Sequence, residues 1–314
     1  MARWLALLLL CLGSQAAPAS STDYCGNTGR VDVAALDQLL QLAARLESQL
    51  EASGAEVALV ARAGLDLSRF GLRYSHAGIA LRGPAGWQVR QLYYDCEGGA
   101  ARIFDQGLPG FVLGNAQADP AFVSALILHG EPAARLAAQA RNDASALSLL
   151  GTDYSANAYA FATRFQNCNQ WVAELMAQAW GQLPDTPPGQ AHRAREAAQS
   201  WLQQAGYQPS RISSHNPFVI IGSWFIPFLH RSDHPPEARA SNQFLVSMPA
   251  SLEAFASRQV TSSHRLELCL RDGRILMRQG HASLDEHCTP GPQDQQWPLA
   301  APGVKNHTLP TPPF

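Results

Sequence analysis

The chain has 314 residues, 46% hydrophobic and 15% charged, with 24 Gly, 21 Pro and six Cys. That composition excludes disorder, collagen and coiled coil, and the length suffices for one large domain or two modest ones. Lys plus Arg number 23 against 25 Asp plus Glu, a net charge of -2, so nothing marks out a phosphate backbone as a partner and nucleic acid is not expected. Lys305, the single lysine, stands in a Pro-rich stretch, which argues against a lysine nucleophile or Schiff base.

Residues 1–19 read as a secretory signal peptide: Arg3, an apolar run from Trp4 to Leu12, then small residues with cleavage after Ala16 or Ala19. The run is about half of the roughly 20 residues that a membrane span needs. No spanning segment is expected after cleavage, and the location expected is periplasmic or secreted. Asp32 caps a predicted helix whose apolar positions Leu36, Leu39, Leu40, Ala43, Leu46 and Leu50 recur at helical spacing, with Gly54 as a stop. Val57 to Arg62 reads as a short strand. Ser75 to Arg82 and Trp87 to Asp95 form a predicted hairpin around Gly83, Pro84, Ala85 and Gly86. Ala121 to Leu128 reads as another strand, and Pro132 to about Leu150 as an Ala-rich helix.

From Cys168 to Trp180 the pattern is helical again, with Val172, Leu175, Met176 and Ala179 on one face and Gly181 as the stop. A helix is predicted from about Gln190 to Gln204, then strands at Phe218 to Ile221 and Phe244 to Ser247, and a short helix at Ser251 to Ala256. Val219 to Leu229 contains Pro227 and reads as a buried strand pair rather than a membrane span. Helices and strands without regular alternation indicate an α+β class. The expected organisation is a main domain over 20–257, a disulfide-closed hairpin extension over 258–288 and a Pro-rich tail over 289–314.

Removal of the leader takes Cys11 away and leaves Cys25, Cys96, Cys168, Cys269 and Cys288 in an oxidising compartment. Position suggests Cys269 with Cys288 and Cys25 with Cys96. Cys168 is then the odd thiol, inside Gln166-Asn167-Cys168-Asn169-Gln170-Trp171. At the first turn of a helix, free N–H groups and the helix dipole favour a thiolate. A nucleophilic thiolate also needs a base, and His76, which opens the strand Ser75-His76-Ala77-Gly78-Ile79-Ala80-Leu81, is the candidate. The small neighbours Ala77 and Gly78 leave room for another backbone or a substrate to approach.

A Ser-His-Ala-Gly strand followed much later by Asn-Cys-Asn-Gln-Trp at the head of a helix resembles the permuted papain-like proteins of the NlpC superfamily. That branch includes lecithin retinol acyltransferase, and in it histidine precedes cysteine, as His76 precedes Cys168 here. Over residues 23–257 the chain also resembles an exported bacterial family known as domain of unknown function 2145, through Cys25-Gly26 and the two motifs around His76 and Cys168. The superfamily resemblance implies a Cys-bearing helix packed on a small antiparallel sheet bearing His, with extra helices. It also implies a thiol hydrolase or acyltransferase with a polar orienter on the strand after the histidine. Counting back from the turn puts Tyr93 opposite His76 with Gln91 on the same face, so either residue is a candidate. Many relatives carry a second histidine there, and this chain does not.

Asn167 and Gln166 are candidate oxyanion donors, beside the backbone N–H of Cys168. His215, His230, Asp233 and His234 lie close in sequence, but no fourth ligand is evident, and neither a metal nor a cofactor is expected. The resulting expectation is an exported cysteine hydrolase or acyltransferase in which Cys168 attacks an amide or ester and His76 shuttles the proton, with peptidoglycan peptides or envelope lipids as partners. The alternative is a non-catalytic envelope protein that keeps the papain-like shell for binding or assembly. Oligomeric state is not legible.

Overall fold

A computed structural model describes residues 32–184, 186–187, 189–213 and 228–301. The first helix, α1 (Val33–Ser53), starts where the Asp32 carboxylate accepts from the N–H groups of Ala34 and Ala35, and ends at Gly54 with φ 68°. Its buried stripe is Leu39, Leu42, Ala43, Leu46 and Leu50. Leu40, expected on that stripe, is exposed. One step on from Leu39 it is turned about 100° round the helix, past the edge of the stripe.

Next come β1 (Val57–Arg62), β2 (His76–Gly83), β3 (Gly86–Asp95), β4 (Ala100–Gly107), α2 (Leu108–Leu113) and β5 (Ala121–Leu128). The predicted Ala-rich helix is two helices, α3 (Gly130–Arg141) and α4 (Asp143–Ser148). Asn142 leaves helical geometry between them and its side chain caps the second. Short strands β6 (Asp153–Tyr154) and β7 (Phe165–Gln166) lead to α5 (Cys168–Trp180) and α6 (Ala191–Gln204). The rest is β8 (Ser210–Ser213), α7 (Pro236–Ser241), β9 (Gln243–Val246), α8 (Pro249–Gln259), β10 (Ser263–Arg271), β11 (Arg274–Gln279) and β12 (Gln295–Pro298). The strand expected at Phe218 to Ile221 and nearly all of the pair expected over Val219 to Leu229 lie outside the described residues, as do the expected leader and Cys25.

The class is α+β, but the sheet is not small. Eight strands run in the order β12-β11-β10-β5-β1-β2-β3-β4, and the neighbours pair antiparallel. Both faces are covered, which is why β1 and β5 are buried along their whole length. On one face Val57, Leu59, Ala61, Ala77 and Ile79 join a core with α3, α5, α6 and α8. On the other, Ala58, Val60, Ala80 and Val89 join a core with α1 and α2. Side chains alternate between these two layers along each strand.

The segment expected as a hairpin extension belongs to this sheet. Strand β10 pairs with β5 from Ser263↔Leu128 to Leu270↔Ala121, and β11 pairs with β10. Part of the expected tail is likewise structural, because β12 pairs with β11. Cys269, inside β10, is disulfide-bonded to Cys288, closing a separation of 19 residues; in the chain-entropy picture such a link stabilises by about 3 kcal/mol. Cys96 is also disulfide-bonded. Cys168 is a free, buried thiol. Among the described residues no helix is long and apolar enough to cross a membrane.

Candidate active site

Cys168 is the first helical residue of α5 because Asn167 caps it. Asn167 is extended (φ -106°, ψ 170°) and its Oδ1 accepts from the Gln170 N–H at 2.6 Å. The amides around the cysteine are committed to structure. Gln166 donates to the Leu149 carbonyl at 2.8 Å and to Glu174 at 2.5 Å, and accepts from the Gly151 N–H. Asn167 Nδ2 donates to the carbonyls of Ala156 and Ser247. The expected oxyanion roles of Gln166 and Asn167 therefore do not fit their geometry, since each already spends its amide hydrogens on buried acceptors. The first-turn backbone N–H groups are better placed, because those of Cys168 and Asn169 already lie against the sulfur.

Asn169 joins the helix to the sheet. Its Nδ2 donates to the Ser75 carbonyl and its Oδ1 accepts from the Ala77 N–H, both at 3.0 Å. These are the backbone groups on either side of His76. Ladder pairing of β2 with β3 begins only at Ile79↔Arg90, so Asn169 satisfies backbone that β3 leaves open.

The hairpin register pairs Arg82 with Trp87 and Gly83 with Gly86, and one consequence is direct. His76 Nε2 lies 2.5 Å from Gln91 Oε1, so with the amide in this orientation the ring donates and the carboxamide accepts. Tyr93 instead packs edge-on against Phe104, with centroids 5.7 Å apart. Gly78 permits the close approach: a Cβ there would lie 2.5 Å from Val89 Cγ1 and 3.2 Å from the Arg90 carbonyl. Gln91 Nε2 is buried with no hydrogen-bond partner among the described residues.

The expected meeting of thiol and imidazole is not present as a bond. Among the described residues the two are not hydrogen-bonded to each other: His76 bonds Gln91, and the side chain that reaches Cys168 is the Tyr154 hydroxyl. Strand alternation is the cause. Ala77 faces the α5 layer that contains Cys168, whereas the His76 ring faces α2, 5.9 Å from the Phe111 ring.

Arg62 was not singled out in the sequence, although a charge closing the apolar run Val57 to Ala61 is a signal. It is the cross-strand partner of His76, lies with its guanidinium 5.4 Å from the Phe111 ring, and donates to the Gly114 carbonyl. Glycines make its slot, since a Cβ on Gly64 or Gly114 would come within 2.5 Å of the guanidinium. Arg62 acts on both titratable groups. Burial pushes the Cys168 thiol up to about 11, while Arg62, the N–H groups of Asn169 and Cys168, and the Tyr154 hydroxyl pull it back. Burial and then Arg62 push the His76 imidazole down to about 3, against the bond it donates to Gln91. At neutral pH both groups are uncharged.

The histidine-rich segment does other work. His234 Nε2 bonds the Asn157 carbonyl, Asp233 accepts from the Tyr159 N–H, and the His230 ring stacks on Phe165 at 4.3 Å. His215 lies outside the described residues. Among the described residues no three ligating side chains converge.

No curated protein and no solved structure matches the chain. Over residues 49–256 the chain matches the sequence model of the bacterial family DUF2145, described as uncharacterized proteins conserved in bacteria, and it belongs to that family.

Proposed function

We propose that the chain is an exported thiol hydrolase or acyltransferase with a permuted papain-like core, in which Cys168 is the nucleophile, His76 the proton carrier and Gln91 its orienter. The observation that carries this reading is the Asn169 clamp, which seats the cysteine-headed helix against the backbone on both sides of a histidine already bonded to a glutamine. In the reaction, the thiol passes its proton to His76 and the sulfur bonds to the carbonyl carbon of an amide or ester. The oxyanion is held by the first-turn N–H groups under the field of Arg62. As the tetrahedral species collapses, His76 returns the proton to the departing amine or alcohol; water or another nucleophile then gives a proton to His76 as it attacks the thioester carbon, and the C–S bond breaks as that proton passes back to the sulfur. Because thiol and imidazole rest in different layers, a substrate must draw the head of β2 and α5 into register before the transfer. The disulfide at Cys269 fits an oxidising compartment, and export makes peptidoglycan peptides or envelope lipids the substrates.

The second reading is a non-catalytic envelope binding or assembly protein. It is favoured by the neutrality of both groups, with the thiol pushed up and the imidazole pushed down by burial. Labelling with an epoxide probe near neutral pH separates the two. The enzyme reading expects selective modification of Cys168 that is lost in His76→Ala. No labelling of the folded protein, or labelling unchanged by His76→Ala, supports the shell.

A further inference from the structure

An open cleft of about 730 Å3 lies between the loop over 63–74, α8, β10 and the segment that follows β11. Cys168, His76 and Gln91 do not line it. The volume is that of sites that take small organic ligands. Leu65, Leu72, Pro120, Phe122 and Ala254 supply apolar walls, and Arg265, Glu253 and Glu267 supply an ionic floor.

Arg265 is 6% exposed and fixed by two carboxylates: Nε donates to Glu253 at 2.7 Å and Nη1 reaches Glu267 at 3.4 Å. The carboxylate oxygens are otherwise occupied. Glu253 also accepts from the Ser124 hydroxyl. Glu267 accepts from the Tyr74 hydroxyl at 2.5 Å, from Arg73 at 2.9 Å and from the Leu284 N–H at 2.8 Å. Arg265 Nη2, by contrast, makes no bond to the described residues and is open to solvent. The floor thus has a donor to spare and its acceptors in use. Arg73, stacked 4.2 Å over Phe122, adds positive charge at the wall. Arg271 and His281 line the cleft further out, and Asp66 and Glu286 bring negative charge there.

We infer that this cleft binds a small organic carboxylate with an apolar body, its head on the spare Arg265 Nη2 donor and its hydrocarbon against Leu72, Phe122 and Ala254. A cation finds no unused acceptor on the floor and meets two guanidinium groups. A phosphate dianion brings a second negative charge beside Glu253 and Glu267 with one spare donor to meet it. A single carboxylate brings one negative charge, which the spare Nη2 donor meets beside the Arg73 guanidinium.

The test is calorimetric titration of the full chain with decanoate, decylamine and inorganic phosphate. Decanoate binds, and the other two give no saturable heat. Ala254→Trp fills the wall without touching the ionic floor, and it weakens decanoate at least ~10-fold while leaving the unfolding transition in place. Arg265→Lys keeps the charge but loses the spare Nη2 donor and weakens binding by roughly 10-fold, the effect of one charge-assisted hydrogen bond. Cys168→Ser binds as the wild type does. Absence of decanoate binding, equal binding of decylamine, undiminished binding by Ala254→Trp, or dependence on Cys168 would each overturn the assignment.

Discussion

Two of the buried polar centres in this fold treat charge in opposite ways. Under α8, Arg265 lies between Glu253 and Glu267, with Arg73 and Tyr74 closing the group, so buried ions are matched by ions. At the head of β2 and α5, burial holds Cys168 and His76 neutral, and the Arg62 cation acts on both, favouring the thiolate and opposing the imidazolium. The difference teaches how each centre responds to change. A matched cluster is rigid and costly to break, because removing one member strands the others. A neutral titratable pair costs little to bury and acquires charge only when its surroundings alter.

The largest effect is expected from breaking the matched cluster. Arg265→Met leaves two carboxylates buried without their shared cation and costs about 3–5 kcal/mol at pH 7, read by urea unfolding. A loss under ~1 kcal/mol would show that Arg265 and the two carboxylates are not coupled as their bonds describe.

The neutral centre has a pH signature. The folded imidazole of His76 sits at about 3 against an unfolded value of 6.5, so between these values the unfolded chain binds more protons. The stability from burying a neutral ring is complete above the unfolded value and is lost as pH falls toward the folded one. At pH 4 that loss is about 3 kcal/mol. His76→Leu flattens this part of the stability curve, and an unchanged acid limb would place the ring in water rather than beside Phe111.

A smaller effect sharpens the contrast by loosening the join between helix and sheet. Asn169→Ala removes the bonds to Ser75 and Ala77 and leaves two backbone groups unpaired, costing about 1–3 kcal/mol. It also changes the rate at which Cys168 reacts with iodoacetamide. A stability loss with an unaltered reaction rate would separate the clamp from the thiol.

Several elements were legible because local pattern and burial agree. Strands β1 and β5 read as short apolar runs since both of their faces are covered. The α5 boundaries followed from the helical spacing after Cys168 and from Gly181, and the β2–β3 register followed from the four turn residues. Strand β4 was not read, because Ala100–Gly107 at the sheet edge mixes Arg102, Asp105 and Gln106 with little apolar alternation. The place of β10 beside β5 was missed because partners about 140 positions apart leave no local trace.

The sequence by itself determined a cysteine at the first position of a helix and a histidine at the start of a strand. It also determined a hairpin whose turn sets Gln91 and His76 on one face, because capping, turn chemistry and strand period act within a few residues. Only the tertiary structure decided which layer each side chain enters, that Asn169 joins helix to strand, and that Arg62 lends its charge to both groups. Those outcomes depend on which face of an eight-stranded sheet each helix covers, and no periodicity within a single element specifies that choice.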